Sequence, residues 1–306
     1  MTKLTMPAST KLFLADIAKF PPLHTMIPEE LRKVVVANAI SDNFQLASVK
    51  DYNLEGPHGE FKVRLYRPTE ESNLPVLVFF HGGGFVFNRI EHYDPMCSKL
   101  ATATGCVVAS VDYHLAPEYK FPVPVDEALF ATKWVSEQAS ELRIDPNRIV
   151  VAGESVGGNL AAIVAQHAGL DGVPSIACQI LICPLMDWNG IYESRQTYAS
   201  GYFLDQALLD YCADHYFELN TNRANPLVSP IYGKVDGVAP ALIITAEFDP
   251  LRDEGEAYGK LLSDQGIKVS SKRYDGMIHL FYALTDVFEE GHDVYDLIRD
   301  ELRELH

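Results

Sequence analysis

Several things are missing from this 306-residue sequence. It has no C-x-x-C pair, no H-x-x-x-H and no Cys/His cluster, so no metal site is expected. No G-K-[ST] follows its glycine-rich stretch and no G-x-G-x-x-G fits there, which speaks against a phosphate cradle or a dinucleotide cofactor. No run approaches 18 apolar residues, so no membrane-spanning helix is expected. Basic residues are outnumbered: 25 Lys and Arg stand against 42 Asp and Glu, a net charge of −17. Nucleic acid and anionic membranes repel such a chain. The five cysteines are odd in number and mostly sit in apolar runs. They are expected as buried, reduced thiols of a reducing compartment. The first twenty residues, MTKLTMPASTKLFLADIAKF, hold no apolar core long enough for a signal peptide. A cytoplasmic protein is the expectation.

What is present is a rhythm of short apolar runs and helical patterns. Residues 76–80 (VLVFF), 106–111 (CVVASV), 149–152 (IVVA), 176–183 (IACQILIC) and 241–246 (ALIITA) are apolar without alternation. Strands covered on both faces read this way. Residues 48–54 and 60–66 read as an antiparallel pair joined at Gly56-Pro57-His58-Gly59, and 268–274 as the last strand. Val125, Ala128, Leu129 and Val135 share a helical face, as do Val294, Leu297, Ile298, Leu302 and Leu305. The fold class is therefore α/β: one domain over 1–306, with a mostly parallel eight-stranded sheet and helices on both faces. Two segments break the rhythm. Residues 1–47 look helical, and 184–235 are longer than a crossover needs. Connections of that length often form lids or binding loops.

Gly153-Glu154-Ser155-Val156-Gly157 is a G-x-S-x-G match. The pattern alone is weak, but here a buried strand runs in and a small-residue helix runs out. A nucleophile elbow needs that setting. Gly153 and Gly157 would avoid collisions across so sharp a turn, and Gly158 would let the helix approach the sheet. The helix N-terminus would aim free N–H groups at the site. His81-Gly82-Gly83-Gly84-Phe85 follows another strand as a bare loop. Its Gly83 and Gly84 N–H groups, with that of Val156, are the candidate oxyanion donors. His81 reads as a brace for the loop.

A serine nucleophile needs a histidine base and a carboxylate behind it, in the order Ser, acid, His for this kind of fold. His279 lies just past the last strand. His167, His215, His292 and His306 read as ordinary helix residues. Asp249 follows the strand 241–246 and precedes a proline, so it sits at a turn. Asp253 reads instead as the cap of the next helix, and Glu247 as too close to the strand end. The candidate triad is Ser155, His279 and Asp249.

Together HGGGF at 81–85, DYHLAPEYKFP at 112–122, GESVGG at 153–158, DPLRDEG at 249–255 and GMIH at 276–279 resemble the hormone-sensitive-lipase family of α/β-hydrolases, and its bacterial carboxylesterases in particular. The resemblance covers nearly everything after about residue 45. It implies the α/β-hydrolase fold and hydrolysis of short-chain acyl esters without a cofactor. It also implies a helical cap built from 1–47 and 184–235, and a homodimer through the last strand and its neighbouring helix. Glu154, Val156, His114 and Leu280 depart from the family's usual residues, and bear on substrate preference and rate. Phe85, Phe87, Leu185, Ile278 and Leu280 neighbour the motifs and are candidates to line a substrate pocket. Two other readings use the same residues: a non-catalytic small-molecule receptor, and an acyl hydrolase of amides, peptides or acetylated sugars.

Overall fold

A computed structural model describes residues 6–33 and 44–303. The helical expectation for 1–47 reaches outside these residues at 1–5 and 34–43, as do Leu305 and His306 of the last helix. The N-terminal segment carries α1 (Ala8–Ile17) and a short α2 (Pro28–Leu31). Then follow β1 (Ser48–Gly56), β2 (Gly59–Arg67), β3 (Leu74–Phe80), α3 (Asp94–Thr104), β4 (Val107–Asp112), α4 (Val123–Glu137), β5 (Ile144–Glu154), α5 (Val156–Gln166) and β6 (Cys178–Ile182). The long connection holds α6 (Glu193–Thr197) and α7 (Gln206–Tyr216). The chain ends on β7 (Ala241–Phe248), α8 (Arg252–Asp264), β8 (Val269–Ile278) and α9 (Glu290–Arg303).

The eight strands form one sheet in the order β1-β2-β4-β3-β5-β6-β7-β8. β3 to β8 run parallel, and β1 and β2 are antiparallel additions at one edge. Alternate strand residues feed two cores. Val76, Val78 and Phe80 of β3 join α4, α5 and α8 on one face. Leu77 and Phe79 join α3 and α9 on the other. This two-sided burial explains why the runs do not alternate with polar residues.

The order places β3 beside β5, although β4 lies between them in sequence. The chain leaves β3 toward one edge of the sheet and β5 toward the other. Their carboxyl ends therefore open a crevice between diverging crossovers, where ligands of α/β sheets bind. Phe80 pairs with Gly153, so the glycine loop after β3 and Ser155 after β5 emerge side by side.

The last strand is longer than its apolar pattern suggests. It extends to Ile278, past a register shift against β7. Ala246 pairs with Tyr274 and Phe248 with Ile278. Between these pairs β7 has one residue, Glu247, and β8 has three, Asp275 to Met277. The Glu247 carboxylate takes the Gly276 N–H at 2.7 Å, and the Thr10 hydroxyl of α1 donates to the Gly276 carbonyl at 3.0 Å. The bulge advances β8 so that His279 arrives beside Asp249.

A buried ion pair ties the long connection down. Arg195 on α6 donates to Glu254 on α8 at 2.7 Å and to the Asp187 carbonyl at 2.8 Å. The other Glu254 oxygen accepts the N–H groups of Met186 and Asp187. Burial pushes the Glu254 carboxyl up even though Arg195 pulls it down. Arg195→Ala strands that carboxylate without its cation, and is expected to destabilise the fold by about 3–5 kcal/mol. Urea denaturation reads the loss, and a change under about 1 kcal/mol would show that the pair anchors nothing.

Candidate active site

Ser155 follows β5 directly and precedes α5, at φ 55° and ψ −122°. A non-glycine residue in this region costs roughly 1–3 kcal/mol and persists only if its surroundings hold it. Here the Ser155 N–H donates to the Ile182 carbonyl, and the Ser155 carbonyl accepts from Leu185, each at 3.0 Å. The glycines make room for the turn. A Cβ on Gly157 would sit 1.9 Å from the Phe80 carbonyl oxygen. On Gly153 it would sit 2.2 Å from the Gly157 backbone. A Cβ on Gly158 would meet the Gly153 carbonyl oxygen of β5 at 3.3 Å, so the helix does lie close to the sheet there, and the Pro184 side chain still closer at 2.8 Å.

The loop after β3 turns back through Gly83 (φ 111°), Gly84 (φ 62°) and Phe85 (φ 63°). Among the described residues, the N–H groups of Gly83 and Gly84 have no acceptor, so both can serve a ligand. His81 is fully buried behind them. Its ring stacks on Tyr113 at 4.2 Å, and Nδ1 lies 2.7 Å from the Gly82 carbonyl. Burial pushes His81 down to about 4, so the ring is neutral and suits the part of a brace. The Tyr113 hydroxyl donates to the His81 carbonyl at 2.6 Å, and Ala116 N–H donates to that of Phe85 at 2.8 Å. The 112–122 motif thus holds the loop from behind.

His279 Nδ1 lies 2.7 Å from Asp249 Oδ2. The other carboxylate oxygen accepts the Leu251 N–H at 2.9 Å. Asp249 is 0% exposed, His279 5% and Ser155 8%. Burial opposes a charge on His279, but the charge and hydrogen bond of Asp249, with a smaller pull from Glu154, outweigh it and raise the imidazole. Asp253 is not the cap of α8. It lies in the first turn and accepts the Ser194 N–H at 2.8 Å. Cys183, Asp249 and His279 are the one group of potential metal ligands among the described residues. Nδ1 is committed to Asp249, and burial keeps the Cys183 thiol protonated well past its ordinary range, so the donor set suits a hydrogen-bonded pair better than a cation.

Ser155, His279, Gly83, Gly84 and Val156 line one cavity of about 80 Å³. Of the pocket candidates, Phe87, Leu185 and Leu280 line it as well. Phe85 and Ile278 do not. The left-handed turn aims Phe85 away, onto Tyr216 at 4.2 Å. Ile278 packs into the second core instead. The walls also include Trp188, Leu208 and Cys212 from the long connection, and Leu23 and Leu31 from the N-terminal segment. The sequence marked only their segments, as helical or unusually long, and no local pattern aimed these side chains at this site.

The sequence reading also missed what Glu154 does. It is 2% exposed, lines the cavity and accepts hydrogen bonds from the hydroxyls of Tyr93 and Tyr282. An acid beside the serine was noticeable as a departure. Its two distant partners left no local signal.

A family model described by its α/β-hydrolase fold matches residues 77–283. The chain belongs to this family. Within it, the chain sits among hormone-sensitive-lipase-like esterases. It is 33% identical to an ethyl acetate hydrolase of Pseudomonas putida, with 94% of this chain and 93% of that one covered. It is 34% identical to an arylesterase of Saccharolobus solfataricus, over 89% and 88%. A solved hyperthermophilic esterase of Pyrobaculum calidifontis superposes with a TM-score of 0.94 at 36% identity, over 99% of both chains. No helix among the described residues of this chain is long and apolar enough to cross a membrane.

The raised imidazole has a measurable consequence. In NMR titration His279 is expected to titrate above the ordinary 6.5, and Asp249→Asn should bring it down. A midpoint below 6.5 in the unaltered protein contradicts the pairing. By linkage, the pair's contribution to stability is full below the unfolded value of about 6.5 and fades as pH rises through the raised folded value.

Proposed function

We infer that this protein is a carboxylic-ester hydrolase that works through Ser155, His279 and Asp249. The observation that carries the reading is the 2.7 Å contact of His279 with buried Asp249, on a cavity that also holds Ser155 in its elbow. Asp249 holds the Nδ1–H tautomer and leaves Nε2 as the base. Ser155 Oγ attacks the ester carbonyl carbon as Nε2 takes its proton. The Gly83, Gly84 and Val156 N–H groups receive the oxyanion, helped by the N-terminal dipole of α5. The C–O bond to the alcohol breaks as Nε2 returns the proton to the leaving oxygen. Water then attacks the acyl-enzyme by the same path and frees the acid and Ser155.

Short acyl chains fit best. The cavity of about 80 Å³ is walled mainly by aliphatic and aromatic side chains. The similarity to an ethyl acetate hydrolase points the same way. Residues 1–47 and 184–235 are read as a cap on a single domain of 306 residues. Leu31 and Leu208 meet at the cavity, and the Tyr211 hydroxyl donates to the Met26 carbonyl at 3.0 Å. A cytoplasmic setting accords with five cysteines that are all unpaired and buried. A homodimer through β8 accords with that strand's place at the sheet edge.

A series of p-nitrophenyl esters from acetate to palmitate tests the reading. Turnover should peak at the short chains, and Ser155→Ala should abolish it without unfolding the protein. Turnover retained in that mutant refutes the assignment. Faster cleavage of a matched anilide would reassign the protein to amides.

A further inference from the structure

Glu154 is a buried carboxylate outside the Ser–His–Asp chemistry, and among the described residues no lysine or arginine pairs with it. Each of its oxygens is taken by a tyrosine. Tyr93 belongs to the segment after the glycine loop, and its oxygen also receives the N–H of Gly82 and the side-chain amide of Asn88, each at 3.2 Å. Tyr282 stands on the 3₁₀ turn Phe281–Ala283, three residues past His279. Burial, and then the Glu154 charge, push both phenols well up, so both stay protonated donors. One carboxylate thus links the oxyanion loop on one side of Ser155 to the histidine loop on the other. The fit is close: a Cβ on Gly82 would lie 1.8 Å from Glu154 Oε1.

We propose that Glu154 is a positioning residue for hydrolysis, a negatively charged bridge that sets the Gly82–Gly84 loop and the His279 loop in register across Ser155. The proposal rests on the serine-hydrolase reading above. Glu154 acts through its neighbours in two ways. Geometrically, Tyr93 and Tyr282 fix the backbone on both sides of the nucleophile. Electrostatically, its charge favours the imidazolium that forms as Ser155 loses its proton. The titratable groups on this side of the cavity are Asp249 just after β7, Glu154 from β5, Cys183 after β6, the phenols of Tyr93 and Tyr282, and His92, which lines the same cavity. Of these the two carboxylates are the anions, while burial keeps the thiol and the two phenols neutral.

Three variants separate the bridge from the charge. Glu154→Gln removes the charge and keeps the shape. Its kcat should fall about 10- to 100-fold with KM little changed, and the acid limb of kcat/KM should move to lower pH. Glu154→Asp keeps the charge but is too short for both tyrosines, so the acid limb stays while kcat falls. Tyr282→Phe removes one arm and keeps the carboxylate, with the same result. Wild-type kcat in Glu154→Gln or in Tyr282→Phe overturns the proposal, as does a loss in Glu154→Gln with an unmoved acid limb. Fluorophosphonate labelling of the unaltered protein keeps the two readings apart. Labelling at Ser155 with indifferent Glu154 variants removes this inference alone, whereas no labelling at Ser155 removes the serine reading and this one with it.

Discussion

Gly157 comes up against the carbonyl of Phe80 on the neighbouring strand, and the site takes its form from that close approach. β5 can discharge a helix so steeply only because its neighbour on that side is β3, whose chain has already turned away toward the other edge. The adjacency puts a bare loop and a strained serine within one crevice. It also sends α5 away with its N-terminus facing the same space. A sheet in simple sequential order would set β4 there, and the glycine loop would open elsewhere.

Around this crevice the protein must keep negative charge out of water. Asp249 and Glu154 are both essentially buried, and among the described residues neither is matched by a lysine or arginine. Their oxygens are met by the donors of an imidazole, a backbone amide and two phenols. Such donors satisfy a carboxylate without neutralising it. The field of the pocket therefore favours positive charge on the His279 imidazole. By contrast, the buried carboxylate that anchors the long connection is met by a guanidinium. Full charge pairing serves where only position is needed.

Much of this was legible in the chain. The apolar runs without alternation gave away the buried parallel strands, because both faces of such strands must be covered. The elbow was legible because few settings other than a sharp strand-to-helix turn call for glycine at 153, 157 and 158. Asp249 and His279 were found from chain order and from a proline that bars a helix at the aspartate. β8 was cut short at 274 because Asp275 and Gly276 read as the start of a loop before His279, where the strand in fact runs on through a bulge to Ile278. The register shift was invisible, since it depends on a glutamate of one strand and a threonine of a distant helix. Phe85 and Phe87 stand two apart and looked equivalent. A left-handed turn, which sequence alone does not fix, sent only one of them to the cavity.

The fit between Gly82 and Glu154 has a consequence for how this sequence can change. While Glu154 keeps its present place, the first carbon of a side chain at 82 would overlap its carboxylate oxygen, so the carboxylate would have to swing away from its tyrosines to admit one. A smaller residue at 154 opens that space but releases both tyrosines. The two positions are thus tied: a side chain at 82 calls for a change at 154, whereas a change at 154 leaves Gly82 free to stay. A larger residue at 82 in the glycine loop therefore follows more easily on a change in the strand before the serine than on one in the loop itself.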